Sequence, residues 1–110
     1  MEVIEINKEL IPYTFEMVLN REVFEFRVDY NNTADLFTVS LYKDGQPLCI
    51  GEPIIYGIPI FSDIQNRGHF PKVTITPIDP SDETQEVTFD NLSATVLLVL
   101  EGDVDVNTEN

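Results

Sequence analysis

Apolar and polar residues alternate along much of this chain, and this alternation restricts the possible folds. In residues 13–19 the odd positions are apolar, and in residues 22–30 the even positions from Phe24 onward are apolar. This spacing is typical of strands that bury one face, and no segment of useful length has the spacing of an amphipathic helix. Because only Asn20 and Arg21 separate the two runs, they predict a β-hairpin with one face on the core.

The same pattern extends through most of the chain. Phe37, Val39 and Leu41 share one face of a third run, residues 72–76 are rich in β-branched residues, and residues 95–100 are apolar on both faces. The last run is therefore predicted to be a central strand. Residues 61–64 can form one helical turn. We expect an all-β fold, a small antiparallel barrel or sandwich of about seven to eight short strands with at most one short helical turn.

Residues 44–59 interrupt the regular pattern. Asp44 and Gly45 favour the positive φ angles of a two-residue hairpin turn. Two glycines and three prolines follow in this segment, and they predict a broken strand because proline lacks the N–H group and glycine favours bulges. Pro47, Pro53 and Pro59 would also discourage pairing of an exposed sheet edge in the free chain.

Size and charge limit the partners. With 110 residues the chain is predicted to form a single all-β domain over residues 1–101, followed by an acidic flexible C-terminal tail over residues 102–110. The formal net charge is -14, and no Lys or Arg follows Lys72. Such a charge repels nucleic acids and anionic membranes, so neither is expected as a partner.

The composition is that of a chain made in a reducing compartment. Cys49 is the single cysteine and cannot form an internal disulfide. The first residues do not resemble a signal peptide, and the longest strongly apolar run, residues 96–100, is too short to cross a bilayer. We expect synthesis in the cytoplasm as a soluble product.

Residues with chemical potential are present without the neighbours that catalysis or metal binding needs. His69 has no adjacent nucleophile or carboxylate pattern, and Cys49 lies in an apolar strand without a nearby cation. Residues 103–109 have acids on alternate positions, but they lack the glycine and the terminal glutamate of an EF-hand loop. The acidic residues of 79–86 are expected to be solvated. No catalytic, cofactor or metal site is predicted, and the chain is not expected to be an enzyme.

Two segments carry apolar groups where loops are normally polar, residues 54–60 and residues 67–70. Aromatic and apolar side chains in such places are enriched at subunit interfaces. The predicted interface residues are Ile54, Tyr56, Ile58, Ile60, His69 and Phe70.

The order of these segments carries a family resemblance. The segments are residues 15–19, 24–31 and 37–42, the Asp44-Gly45 turn, and then residues 53–57 and 89–92. Taken together, from about Ile6 to Leu100, the chain resembles the small baseplate plug proteins of contractile-tailed bacteriophages and their prophage relatives. It departs from their pattern at Phe37, where tryptophan would be expected, and in the longer acidic tail after Glu101.

The resemblance implies a structural role without an active site. It implies a virion component near the axis of the tail tube, made in the bacterial host cytoplasm, that contacts the baseplate hub and also the tape-measure protein or the tube. It also allows a homo-oligomer in the assembled particle, although a charge of -14 per copy favours a heteromeric site. The alternative is a soluble acidic β-domain that acts as a binding or inhibitor module, such as a nucleic-acid mimic.

Overall fold

The described residues form seven strands in two antiparallel sheets, so the all-β prediction is confirmed. The computed structural model describes residues 2–66, 68, 70, 71 and 73–102. One sheet has the order β1-β7-β6 and the other the order β2-β3-β4-β5. The strands are β1 (Glu2–Ile4), β2 (Tyr13–Leu19), β3 (Glu22–Asn31), β4 (Leu36–Lys43), β5 (Gln46–Pro53), β6 (Val73–Ile78) and β7 (Leu97–Gly102).

Two short helical elements accompany the strands, one more than the sequence pattern predicts. The expected turn is the helix α1 (Ser62–Asn66), and a 3₁₀ turn at Lys8–Leu10 lies between β1 and β2. The side chain of Asn7 caps this 3₁₀ turn by accepting a hydrogen bond from the Glu9 N–H. A cap of this kind satisfies backbone groups locally and leaves no periodic signal in the sequence.

Both predicted hairpin turns are present. Asn20 and Arg21 have φ angles of 53° and 66°, and Asp44 and Gly45 have φ angles of 53° and 78°. Positive φ at both central residues is the geometry of a type I′ turn, which matches the twist of the strands that it joins. The two turns therefore set the β2–β3 and β4–β5 registers.

The two sheets share one apolar core. Phe24, Phe26 and Val28 of β3 are buried there, together with Ile75 of β6 and Leu98 of β7. Strand β7 lies between β1 and β6, and Leu98, Val99 and Leu100 are all buried, which confirms the prediction of a central strand. Residues 103–110, most of the predicted tail, lie outside the described residues.

Strand β5 is an edge strand, as its prolines suggest. Pro47 and Pro53 both lie on it, and the pairing with β4 is interrupted by two register shifts. Gly51 has a φ of 71°, and its N–H donates to the hydroxyl of the buried Ser40 at 2.9 Å. A glycine at positive φ is typical of a bulge, which bends the edge and ends regular pairing.

Candidate functional site

The segment after β5 joins the two sheets. Its first N–H, that of Ile54, donates to the carbonyl oxygen of Phe37 on β4 at 3.0 Å. The N–H groups of Gly57 and Ile60 donate to the carbonyl oxygens of Pro77 and Ile75 on β6, each at 2.9 Å. We call residues 54–60 the corner segment. It continues the edge of one sheet and then covers the outer edge of the other.

The corner segment divides its isoleucines between core and solvent. Ile54 and Ile60 are buried, whereas Ile55 and Ile58 are 44% and 55% exposed. An exposed isoleucine held on a hydrogen-bonded backbone offers apolar area without the entropy cost of ordering a loop. Ile55 is an exposed residue that is not among the predicted interface residues, because its exposure depends on how the segment crosses between the sheets.

The predicted interface residues therefore have different environments. Ile54, Ile60 and Phe70 contribute their side chains to the core of the free protein instead of its surface. Phe70 packs against Phe24 and Phe61, with ring centroids 5.4 Å and 5.6 Å apart. His69 lies outside the described residues. The interface prediction remains a prediction, and of its described residues only Ile58 and part of Tyr56 are exposed.

Tyr56 connects the corner segment to the end of β6. Its ring is half-buried, and its hydroxyl oxygen accepts a hydrogen bond from the backbone N–H of Asp79 at 2.9 Å. This hydrogen bond stabilises the fold of the free protein. Tyr56 therefore helps to hold Ile55 and Ile58 in place.

Asp79 organises the loop that follows β6, a function that the sequence does not reveal. One carboxylate oxygen accepts from the Ser81 hydroxyl at 2.6 Å and from the Ser81 N–H at 2.9 Å. The other accepts from the N–H groups of Glu83 and Thr84 at 3.2 and 3.1 Å. The carboxylate is buried rather than solvated. The Ser81 hydroxyl foremost, and then the backbone donors, hold the pKa of Asp79 below its ordinary value, against the opposing effect of burial.

Replacing Asp79 by asparagine is expected to destabilise the protein at neutral pH and to destabilise it less in acid. A carboxylate whose pKa is lowered by folding stabilises the native state above its unfolded pKa of about 3.9. That stabilisation is lost as the pH falls from there through the lower folded-state pKa. Urea unfolding followed by circular dichroism at about pH 7 and about pH 3 measures the difference between Asp79→Asn and the native chain.

Asp82→Asn is the matched control, because it removes the same charge from an exposed position of the same loop. It should leave the urea midpoint nearly unchanged at both pH values. An Asp79→Asn deficit that persists undiminished in acid would contradict the assignment of the effect to the ionised carboxylate.

The end of the corner segment is anchored by Phe61. This residue is fully buried, has a φ of 65°, and donates its N–H to a carboxylate oxygen of Glu52 at 3.3 Å. The other oxygen of Glu52 accepts from the Cys49 thiol at 3.5 Å. A bulky residue at positive φ is uncommon and persists only where the surrounding structure over-determines it. Glu52 thus ties the edge strand to the start of α1.

Three further observations describe the surface. The described part of the chain contains no group of three or more His, Cys, Asp or Glu side chains placed to hold a metal ion. An open depression is lined by residues 5–9 and Ser93, and Lys8 at its border donates to the carbonyl oxygens of Phe89 and Asp90 at 2.7 and 3.2 Å. Among the described residues no helix has the length and apolar character needed to cross a membrane.

Comparison with known families supplies the biological context. A family model described as the cyanophage baseplate Pam3 plug gp18 matches residues 1–103. The match covers the 3₁₀ turn, the corner segment and every strand of both sheets. A search of curated proteins gives no match.

Proposed function

Because the chain belongs to the family of the cyanophage baseplate Pam3 plug gp18, we propose that it is a non-enzymatic structural component of a phage or prophage tail baseplate. In this proposal it is a plug-like protein near the axis of the tail tube and contacts hub, tape-measure or tube proteins. The family match over residues 1–103 is the observation that carries the proposal. The family itself is one of baseplate proteins and indicates a virion tail component.

The corner segment is the surface that we assign to the contact with the baseplate. Ile55 and Ile58 are exposed, while backbone hydrogen bonds to both sheets fix the segment that carries them. A prearranged apolar surface gains free energy on burial without first having to order its backbone. This makes residues 54–60 suitable for a permanent contact in an assembled particle.

The charge supports partners of a different kind rather than a ring of this chain alone. Copies with a formal charge of -14 repel one another unless a partner or cations neutralise them. The same charge keeps the free subunit soluble and accelerates its association with basic surfaces. Any homo-oligomer in the particle would therefore need neighbours that supply positive charge.

The alternative function, a nucleic-acid mimic, has weaker support. Such a mimic needs uninterrupted rows of carboxylates, and two basic residues, Arg27 of β3 and Lys43 of β4, interrupt the acids of β3. Arg27 bonds to Asp29 through two nitrogens at 2.9 and 3.2 Å, and Lys43 lies 3.3 Å from a carboxylate oxygen of Glu22. We retain the structural function as the proposal.

Replacing Ile58 by aspartate tests the proposal. The variant should fold normally, because the side chain is exposed, but it should be lost from assembled tails because a charge would be buried in the contact. The measurement is quantitative mass spectrometry of purified tail particles, with the tube protein as the internal standard. The native chain should be present in a few copies per particle.

Leu10→Asp is the matched control, since Leu10 is similarly exposed but lies on the 3₁₀ turn outside the corner segment. It should be incorporated like the native chain. If the native chain is absent from particles while abundant in the lysate, the baseplate function is wrong. If Ile58→Asp is incorporated normally, the baseplate function stands and the corner segment is not the contact.

A further inference from the structure

Four strands form the edges of the two sheets. They are β1 and β6 in the three-stranded sheet and β2 and β5 in the four-stranded sheet. An edge strand exposes backbone N–H and C=O groups with which another strand can pair, and proteins usually block such edges. Within the described part of the chain, three of these four edges are blocked or short.

The edges of β6, β5 and β1 are protected in different ways. Three outward carbonyl groups of β6 accept hydrogen bonds from the Gln65 side chain and from the N–H groups of Ile60 and Gly57. Strand β5 has two prolines, which lack N–H groups, and two register shifts. Strand β1 is only three residues long.

Strand β2 has none of these protections. Its seven residues pair with β3 in an unbroken register from Tyr13 to Leu19, without a bulge and without proline. The two-residue turn makes Leu19 and Glu22 a hydrogen-bonded pair, so the odd-numbered residues of β2 bond to β3. The backbone N–H and C=O groups of Thr14, Glu16 and Val18 consequently point away from the sheet. In the described part of the chain none of these three residues has a hydrogen-bond partner outside the β2–β3 ladder.

The side chains of the same residues form a chemically distinct outer face. Val18 lies directly opposite Val23, and the two are 45% and 50% exposed. Glu16 lies directly opposite Glu25, and the non-hydrogen-bonded pairing brings these side chains close together. Like charges in this arrangement are destabilising. Among the described residues neither glutamate has an ion pair or a hydrogen bond.

We propose that the edge of β2 is a docking site for an extended segment of a basic partner protein. The added strand would pair with the backbone of Thr14, Glu16 and Val18. It would place Lys or Arg directly beside Glu16 and an apolar residue directly beside Val18, on the face that these residues share with Glu25 and Val23 of β3. The positive charge relieves the repulsion between the glutamates, and the apolar residue covers the exposed valines.

A second copy of this chain is a poor occupant of the same edge. Two β2 strands paired about a twofold axis at their centres would place Glu16 opposite Glu16. Both subunits also carry a formal charge of -14. The edge therefore selects a partner with the opposite charge. It is separate from the corner segment, and the inference does not depend on the proposed baseplate function.

A short blocked peptide of sequence Thr-Lys-Thr-Val-Thr-Lys-Thr is the probe. It reads the same in both directions, so parallel and antiparallel addition present the same side chains. Amide hydrogen exchange measured by NMR reports the site directly. The outward amides of Thr14, Glu16 and Val18 should exchange quickly in the free protein and more slowly with peptide, while those of Phe15 and Met17 should stay unchanged.

Two controls separate strand addition from attraction between opposite charges. The same peptide with N-methyl groups on its five inner residues has the same charge and side chains but cannot pair its backbone with β2 in either direction, and it should bind at least about tenfold more weakly, equivalent to about 1.4 kcal/mol. Glu16→Pro removes one outward N–H without touching the ladder to β3, and it should weaken binding of the first peptide similarly. Glu16→Gln should reduce the dependence of binding on salt but retain the protection of the outward amides.

The proposal is wrong if the two peptides bind equally, or if the protected amides lie elsewhere. It is also wrong if the outward amides become protected with increasing concentration of the protein alone, which would make a second copy the occupant. Because the exchange measurement uses the native chain, it decides the question even if Glu16→Pro fails to fold.

Discussion

Replacing Phe61 by alanine is expected to lower the free energy of unfolding by about 3–5 kcal/mol. Phe61 is 1% exposed and packs between Phe26 and Phe70, with ring centroids 6.1 Å and 5.6 Å away. Its removal would leave a cavity where the corner segment meets both sheets. The expected loss is a large fraction of the stability of a domain of this size. Urea unfolding at equilibrium, followed by circular dichroism, measures it.

A comparison of Phe61→Gly with Phe61→Ala separates the cost of the cavity from the cost of the strained backbone at residue 61. Both variants lose the ring, but glycine adopts a φ of 65° without the cost of about 1–2 kcal/mol that an L-residue incurs there. We therefore expect Phe61→Gly to be at least as stable as Phe61→Ala, the reverse of the usual order in regular structure. A glycine variant clearly less stable than the alanine variant would show that the positive φ is not a strained feature of the native state.

The local features of this fold are readable from sequence because they depend on neighbouring residues. Two pairs of residues form the predicted turns, Asn20-Arg21 and Asp44-Gly45. Each pair contains a residue that tolerates positive φ, and each lies between two runs of alternating apolar and polar residues. The uniformly apolar residues 98–100 indicate a strand covered on both faces. Each of these features can be predicted from a short segment of the sequence.

The candidate site is less predictable because it depends on contacts between the sheets. Ile54, Ile55, Ile58 and Ile60 are chemically equivalent in the sequence, yet two are buried and two are exposed. Their orientation follows from hydrogen bonds to β4 and β6, which are distant in the chain. Asp79 is similar, since its burial depends on loop backbone donors that only the folded chain assembles.

The free edge of β2 can be recognised only when the order of the strands in the sheet is known. The sequence indicates that residues 13–19 form a strand, but it does not show which of its sides is paired. The contrast with β5, whose prolines are visible in the sequence, becomes meaningful only when both strands are known to be edges of one sheet. The absence of prolines in residues 13–19 then becomes evidence for a docking function.

Phe37→Ala is the second substitution expected to have a large effect, again about 3–5 kcal/mol. Phe37 is fully buried, and its ring lies 4.8 Å from that of Tyr30 and 5.9 Å from that of Phe89. Tyr30 and Phe89 are joined through Asp35, which accepts from the Tyr30 hydroxyl at 2.7 Å and from the Phe89 N–H at 3.0 Å. Loss of the central ring would therefore loosen the connection between β3, β4 and the loop before β7.

Phe37→Trp gives the informative contrast, because tryptophan is the residue expected here in the baseplate plug pattern. Adding volume to a packed core costs about 1–3 kcal/mol. The cost should be at the low end, since Phe89 beside it is partly exposed and can move outward.

The chain has no other tryptophan, so the emission of this residue reports its environment directly. A blue-shifted spectrum that moves to longer wavelength in one urea transition, together with the circular dichroism signal, is the expected result. A solvent-like spectrum in the native state, or a loss of stability as large as that of Phe37→Ala, would mean that the aromatic cluster cannot expand and that phenylalanine is required by the shape of this core.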